Sequence, residues 1–428
     1  MKRLFVFFLI IMSFSLYAQD APSWANDHDE WENSEAAWVE DDTTEEEQQP
    51  AQKKKLLPIE DRAFEIGLLN LSVGFANDFI TASQIFQETM VIDLDELHDG
   101  MKINLDVVLS PLYFTYSKSK WGFGLFTGVE TMGIVGLSGN TIFLNQTSGD
   151  KSEVGGAAFV DVSPYAFFHI KKLKVKIKPS VYYPLMYVKS DISYVNKADD
   201  KPELSMKYDV SIYTPFPLED FPDSIFDLNA KMGFDFHLGA EYPLSEVLGL
   251  KDKFSFLDFD VGLDLIHLPM IPATLSHYMK TYGYMKMEGN FDLEDMESSF
   301  DTELSDMIYG QEEILIFRPF KMLFWADWRP FKTRMITFVP ALGFSINPLY
   351  LEPFSIEANV KTRLNLANMF LATAGIGYED RLWKNSINLA LNLRIFEFDL
   401  GVDFRSQDFL KSFSGGGFGV SFGFKFGW

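Results

Sequence analysis

Apolar and polar residues alternate without a break over the last eleven positions of the chain. From Phe418 to Trp428, aromatic or β-branched residues occupy the even positions and small or polar residues the odd ones. A period of two residues predicts a strand. Similar alternation recurs from Arg62 onward between turn residues, and together the runs predict roughly fourteen strands, or sixteen. The clearest earlier runs are 102–109, 121–125, 172–178, 232–239, 258–265, 387–393 and 396–404.

Two all-β architectures share this period, a water-soluble sandwich and a transmembrane antiparallel β-barrel. Charges flanked by glycines on the polar faces favour the barrel, whose lumen crowds its side chains. Long connections (139–155, 190–201 and 292–311) are spread among shorter turns such as 365–368, which fits the unequal loops of membrane barrels. We therefore predict an antiparallel transmembrane β-barrel over residues 63–428.

One polar face of the predicted strands carries charged side chains that would point into the lumen. Opposed acidic and basic walls could set a transverse field across a solute path. Alternatively, the charges pair with one another and hold the barrel together. The candidates are Asp258, Asp260, Asp264, Glu397, Asp399, Asp403, Lys172, Lys174 and Lys176.

The N-terminal residues differ from the rest of the chain. Lys2 and Arg3 precede an apolar run over 4–16, which predicts a secretory signal peptide over 1–18, cleaved after Ala18. The alternative, a short N-terminal membrane helix, is less favoured because the run is shorter than the ~20 apolar residues that a spanning helix needs.

Residues 19–62 are predicted to form an acidic, disordered extension. Trp24, Trp31 and Trp38 lie seven residues apart within it, so a helix would gather them on one stripe. This spacing is either chance in a solvated tail or a motif that binds a periplasmic protein or plugs the barrel mouth. Further on, the spacing of apolar residues over 77–100 is closer to helical, which predicts either an external loop helix or an insert that narrows the lumen.

Composition excludes several function classes. The 42 Phe residues exceed what a soluble core needs, whereas a barrel requires an apolar belt. A formal net charge of -24 argues against nucleic-acid partners, and the absence of cysteine excludes lipoprotein acylation and disulfides. The G-x-S-x-G match at 419–423 lies inside a strand, where no nucleophile elbow forms. The six histidines form no metal-ligand pair in sequence, so we predict neither an enzyme nor a cofactor.

The C-terminal residues Ser421, Gly423, Phe426 and Trp428 have a spacing that resembles the assembly signal of bacterial outer-membrane barrels. The resemblance implies export to the outer membrane, contact with its lipid and recognition by the barrel assembly machinery.

The region from Phe64 to Trp428 also resembles the FadL-type long-chain fatty acid channels. The resemblance rests on the run Ser110 to Tyr113 with Gly122 to Gly128, the run Arg318 to Lys321 with Arg329 to Phe331, and the ending from Leu410. It implies fourteen strands, a lumen plug and a hydrophobic small-molecule substrate, most of all long-chain fatty acid, that diffuses through the plugged barrel. The family's hatch precedes the first strand, so either the acidic extension or the 77–100 segment would serve as the plug here. A general diffusion porin with an acidic lumen and a surface-exposed adhesin or scaffold remain alternatives.

Overall fold

The computed structural model describes residues 62–77, 101–137, 152–198, 202–219, 230–250, 254–288, 299–304, 307–331, 335–414 and 416–428. The predicted signal peptide, the tryptophan stripe at Trp24, Trp31 and Trp38, and residues 78–100 of the predicted insert lie outside these ranges.

Fourteen strand segments pair antiparallel, each with the next, and form a closed barrel. They are β1 (Phe64–Asn77), β2 (Met101–Lys118), β3 (Trp121–Leu137), β4 (Glu153–Ile170), β5 (Leu173–Ala198), β8 (Gly233–Tyr242), β9 (Phe259–Ile271), β13 (Phe320–Trp328), β14 (Ile336–Ile346), β15 (Phe354–Leu366), β16 (Phe370–Glu379), β17 (Leu382–Asn392), β18 (Phe396–Ser406) and β19 (Gly417–Gly427). The prediction of an all-β barrel with about fourteen strands is confirmed.

The first and last strands close the ring. β1 and β19 pair from Glu65 with Gly427 to Ala76 with Gly417, and one bulge interrupts the register between Leu68 and Leu71. Phe64 and Trp428 exchange backbone hydrogen bonds of 3.2 and 3.1 Å. We call the end of the barrel at these residues the terminal rim and the opposite end the far rim.

Burial along the strands is inverted relative to a soluble protein. On β19 the apolar residues Phe418, Val420 and Phe422 are exposed, while Gly423 and Lys425 are buried. A water-soluble sandwich would bury the apolar face instead. The apolar exterior and polar interior therefore identify a membrane-spanning barrel. No helix among the described residues is long and apolar enough to span a bilayer.

The orientation follows from the connections. Most tight turns (119–120, 171–172, 367–369 and 393–395) lie at the terminal rim, whereas most of the long connections (78–100, 138–152 and 407–416) leave from the far rim; the exceptions are 243–258 at the terminal rim and 380–381 at the far rim. Short turns are periplasmic and long loops external in outer-membrane barrels, so the far rim faces the cell exterior. The short α-helices α1 (Leu244–Val247) and α2 (Lys411–Ser414) lie in connections at the terminal and far rims respectively.

Five further segments extend the wall beyond the far rim between β5 and β13. β6 (Pro202–Thr214), β7 (Ala230–Lys231), β10 (Ala273–Glu288), β11 (Ser299–Leu304) and β12 (Ile308–Ile316) have this role. β6 pairs with the upper part of β5 and with β10, and β10 also pairs with β11 and β12. Three of the fourteen places in the ring are therefore each occupied by a long strand that is interrupted along its length.

Aromatic rings surround the seam at the terminal rim. The ring centroids of Phe64 and Trp428 lie 4.7 Å apart, those of Phe64 and Phe114 6.5 Å, and those of Tyr116 and Trp121 6.0 Å. Outer-membrane barrels carry such girdles at the lipid–water boundary, so this band marks the periplasmic edge of the membrane.

We predict that deleting Trp428 slows assembly more than Trp428→Ala does. The alanine variant keeps the backbone bonds to Phe64, whereas the deletion removes both them and the aromatic end. Heat-modifiable electrophoretic mobility, followed over time during folding into lipid vesicles, measures the rate. Trp121→Ala is the matched control, since it removes a rim tryptophan away from the seam. Assembly of the deletion variant at the wild-type rate would contradict the proposed signal.

Candidate functional site in the barrel lumen

The acidic candidates on β9 and its preceding turn are bound to side chains of β13 and the turn after it; Asp258 and Asp264 are buried and Asp260 is partly buried. Arg329 Nη2 lies 2.6 Å from Asp260 Oδ2 and 3.3 Å from Asp258 Oδ1. Trp325 donates its indole N–H to Asp264 at 2.7 Å. These bonds tie two neighbouring strand positions together on the lumen side.

The candidates on β18 are bound in the same way. Lys425 Nζ lies 3.1 Å from Asp399 and 3.6 Å from Glu397. Arg405 forms ion pairs with Asp403 of its own strand and with Asp106 of β2. Every acidic candidate therefore has a basic or indole partner, which is the arrangement expected if the charges hold the barrel together.

The lysine candidates are divided. Lys174 and Lys176 are buried, with their Nζ atoms 3.6 and 3.9 Å from Glu241 Oε2. Lys172, which we predicted to face the lumen, lies instead in the turn between β4 and β5, where it is exposed and bonded to Glu246 at 2.5 Å. The alternation in the sequence begins before β5 does. Lys171, with φ 58°, reverses the backbone between β4 and β5, so Lys172 belongs to the turn and not to the strand.

An arginine cluster that our sequence reasoning missed joins four strand positions. Arg318 donates from Nε and Nη2 to Asp235 at 2.8 and 2.9 Å and from Nη2 to Ser180 at 2.6 Å. Its Nη1 lies 3.4 Å from Asp161, and its guanidinium stacks 4.8 Å from the ring centre of Tyr182. Arg318 is buried, and its bidentate contact with Asp235 is the geometry of a strong charge-assisted interaction. We call these five residues the Arg318 cluster.

The cluster lies where the wall between two strand positions is interrupted. The β9–β13 ladder ends at Ile266 with Lys321, and the β10–β12 ladder begins at Ala273 with Ile316. Proline cannot donate to a ladder, and the interrupted stretch contains three prolines, Pro269, Pro272 and Pro319.

Side chains take over the freed backbone groups at this interruption. Tyr182 donates its hydroxyl to Ile316 O at 3.0 Å and accepts from Ala273 N at 3.3 Å. His267, with φ 51°, places its Nδ1 3.1 Å from Pro319 O. The interruption is thus a bonded feature of the fold, and prolines within strand-like runs are the signal that could have located it.

The far half of the lumen contains a cluster of buried apolar side chains, which we call the apolar core. It combines strand residues with Leu349 of the β14–β15 connection. Its buried members are Ile134, Ala157, Phe159, Tyr182, Tyr213, Ala273, Leu275, Ile316 and Leu349. The terminal half holds a second buried cluster, Tyr113, Phe126, Tyr165 and Phe167. Tyr113 fits there because Gly67 has no side chain: a Cβ at that position would lie 1.8 Å from the ring. These two clusters occupy part of the lumen among the described residues.

Between these fillings lies a cavity of about 580 Å³, the lumen cavity. Its lining combines apolar side chains, among them Met132, Ile134, Leu349 and Leu382, with charged and polar ones. The basic side chains among them are Lys321, Lys361, Lys384, Arg405 and Lys425.

One carboxyl of this cavity belongs to the turn between β16 and β17. Asp380 Oδ2 lies 2.7 Å from Lys321 Nζ and 3.7 Å from Lys384 Nζ. Burial disfavours its charge, but the two lysines outweigh that effect and lower the pKa of Asp380 to about 2. This ion cluster consequently stays charged at any physiological pH. No group of three described His, Asp or Glu residues is arranged to hold a metal ion.

Comparison with known proteins gives matches among solved structures alone. No protein-family model and no curated protein matches the chain. The toluene transporter TodX of P. putida is similar over 85% of this chain and 89% of its own, with 8% identity and a TM-score of 0.45. The monoaromatic hydrocarbon channel CymD is similar over 86% of this chain and 89% of its own, with 6% identity and a TM-score of 0.42. A FadL homologue of Pseudomonas aeruginosa is similar over 86% of this chain and 92% of its own, with 7% identity and a TM-score of 0.39.

The type of protein in these matches agrees with the resemblance to FadL-type channels noted from the sequence. All three TM-scores lie below 0.5, so we base the architecture on the strand pairing of this chain and the function on its lumen.

Proposed function

We propose that this protein is an outer-membrane channel for the uptake of hydrophobic compounds, in particular long-chain fatty acids. The observation that carries the proposal is the mixed lining of the lumen cavity, in which apolar side chains such as Met132 and Leu382 lie beside basic ones such as Lys361 and Lys384. A long-chain fatty acid likewise combines an apolar chain with a carboxylate. Each buried methylene contributes roughly 0.8 kcal/mol, so an apolar lining favours such a chain over a hydrated solute.

The apolar core argues against the general porin. A diffusion porin needs a wide water path, whereas buried apolar side chains occupy part of the lumen here. The acidic residues that would select cations are also each bound to a basic or indole donor of the barrel wall. The adhesin alternative concerns loops that lie largely outside the described residues.

Uptake into proteoliposomes tests the proposal. We expect radiolabelled long-chain fatty acid to enter vesicles that contain the protein, while sugars cause no swelling. Toluene serves as a second cargo without a carboxylate: preference for the acid over toluene would support a role for the basic side chains. Sugar-driven swelling would favour the porin, and no uptake of any of these compounds would favour the adhesin or scaffold.

We also expect Ile134→Gln to reduce fatty acid uptake several-fold. Ile134 is buried and is one of the apolar residues that line the lumen cavity, so an amide there places a polar group against the cargo. Leu410→Gln is the matched control because it makes a comparable change at the far rim, where Leu410 is 74% exposed. Folding of both variants is checked by heat-modifiable mobility. Equal uptake by the folded variants would contradict a cargo path past Ile134.

A further inference from the structure

The connection between β14 and β15, residues 347–353, folds into the barrel and crosses the lumen; we call it the strap. Its two ends are held together by the bond from Asn347 N to Pro353 O at 2.8 Å. Leu349 is 9% exposed and belongs to the apolar core, whereas Leu351 is 48% exposed. One face of a short loop is therefore buried inside the barrel, although loops normally run over protein surfaces.

Bonds to the opposite wall fix the strap in this position. Leu351 N donates to Glu153 Oε2 of β4 at 2.8 Å, and Asn104 of β2 donates to the Tyr350 hydroxyl at 3.1 Å. The Leu349 carbonyl lies where a side chain on Gly155 would be, only 2.9 Å from the Cβ position. The strap thus spans from β14 and β15 to β2 and β4.

Tyr350 is the residue of the strap that separates two cavities. The lumen cavity lies on its inner side, and a second cavity of about 450 Å³, the outer cavity, lies at the far rim. Lys102, Glu153 and Glu352 line the outer cavity, and Tyr350, Asn104 and Ile134 line both. Of these three shared residues Tyr350 has the largest side chain, and it reaches from the strap to Asn104 on β2.

The Tyr350 side chain is held from three sides. Its hydroxyl accepts from Asn104 and donates to the Asp380 carbonyl at 3.3 Å. The Arg381 guanidinium lies 4.9 Å from its ring centre. Burial raises the pKa of Tyr350, so the hydroxyl keeps the proton that it donates. These contacts give the ring one defined position across the gap.

We propose that Tyr350, held by the strap, is the specificity-determining barrier that keeps small hydrophilic solutes of the cell exterior out of the charged lumen cavity. The inference rests on the proposed channel function because it concerns the lumen of the same channel. It deepens that function by assigning the exclusion of hydrophilic solutes to one side chain.

Cysteine labelling tests the barrier, because the protein contains no cysteine of its own. Ser386→Cys places a thiol in the lumen cavity, at a residue that lines that cavity and not the outer one. A charged, membrane-impermeant methanethiosulfonate is added to intact cells, and its rate of reaction is measured. We expect Tyr350→Ala to accelerate labelling of Ser386→Cys by at least about tenfold, as a lowered barrier to entry would.

Three controls make the result specific. Glu352→Cys, whose side chain is 87% exposed in the strap, reports that the reagent reaches the far rim and that this rim faces outward. Leu351→Ala changes the same loop at an exposed side chain and should leave the labelling rate unchanged. Tyr350→Phe keeps the ring without its hydrogen bonds and should give an intermediate rate.

Equal labelling rates in the wild-type and Tyr350→Ala backgrounds would overturn the proposal, as would equal acceleration by Leu351→Ala. The assay reads entry into the lumen rather than uptake, so the barrier and the cargo assignment can fail separately. A cationic and an anionic form of the reagent, used in parallel, distinguish loss of the steric barrier from a charge effect. Loss of the steric barrier accelerates labelling by both forms, whereas a charge effect does not.

Discussion

Arg318→Ala is expected to lower the free energy of unfolding of the barrel by about 3–5 kcal/mol, because it leaves two buried carboxylates without their partner. Arg318 binds Asp235 through two nitrogen atoms and also contacts Asp161 and Ser180. These partners come from three different strand positions next to the wall interruption. The variant should therefore weaken the barrel where the backbone ladder is already missing.

Urea titration of folding into lipid vesicles, read by heat-modifiable mobility, gives the change in stability. Arg394→Ala is the matched control, since Arg394 is exposed in the turn between β17 and β18. Adding Asp161→Asn and Asp235→Asn to Arg318→Met should restore part of the loss, because the uncompensated charges are then gone. A loss no larger than that of Arg394→Ala would mean that the Arg318 cluster does not stabilise the interruption.

The part of the fold that follows from local alternation is readable from the sequence. Each residue of β19 was assigned to the correct face, because lipid outside and polar groups inside impose a strict period of two along a regular strand. The interruption was not foreseen, because prolines at 269, 272 and 319 break the period and move the pairing to other segments. β10 and β12 were consequently not recognised as continuations of β9 and β13.

The site was only partly predictable for a different reason. Alternation tells which face Asp264 or Glu397 occupies, but their partners Trp325 and Lys425 are set by strand order and register, which no local pattern contains. Nor could the strap be recognised, since nothing in the run from Asn347 to Pro353 distinguishes the buried Leu349 from the exposed Leu351. The burial of Leu349 depends on the position of Gly155 and Ile134 on distant strands.

Leu400→Arg should impair insertion of the barrel by about 2–4 kcal/mol, the cost of arginine at the bilayer midplane. Leu400 is 53% exposed near the middle of β18 and lies opposite Leu389 and Phe422, which are also exposed. No acidic side chain of that face is positioned between these three to pair with the new charge, so the penalty is not offset across the strands.

Leu410→Arg provides the matched comparison, because the same change is made at the far rim, beyond the end of β18. Near the interface the cost falls to about 0–1 kcal/mol, so this variant should fold almost as the wild type does. Folding yields of both variants in vesicles, compared over a urea series, measure the difference. Because the penalty depends on depth, equal behaviour of the two variants would contradict the placement of β18 across the membrane, whereas a lower yield for Leu400→Arg alone ties the observed burial pattern to lipid on the apolar face.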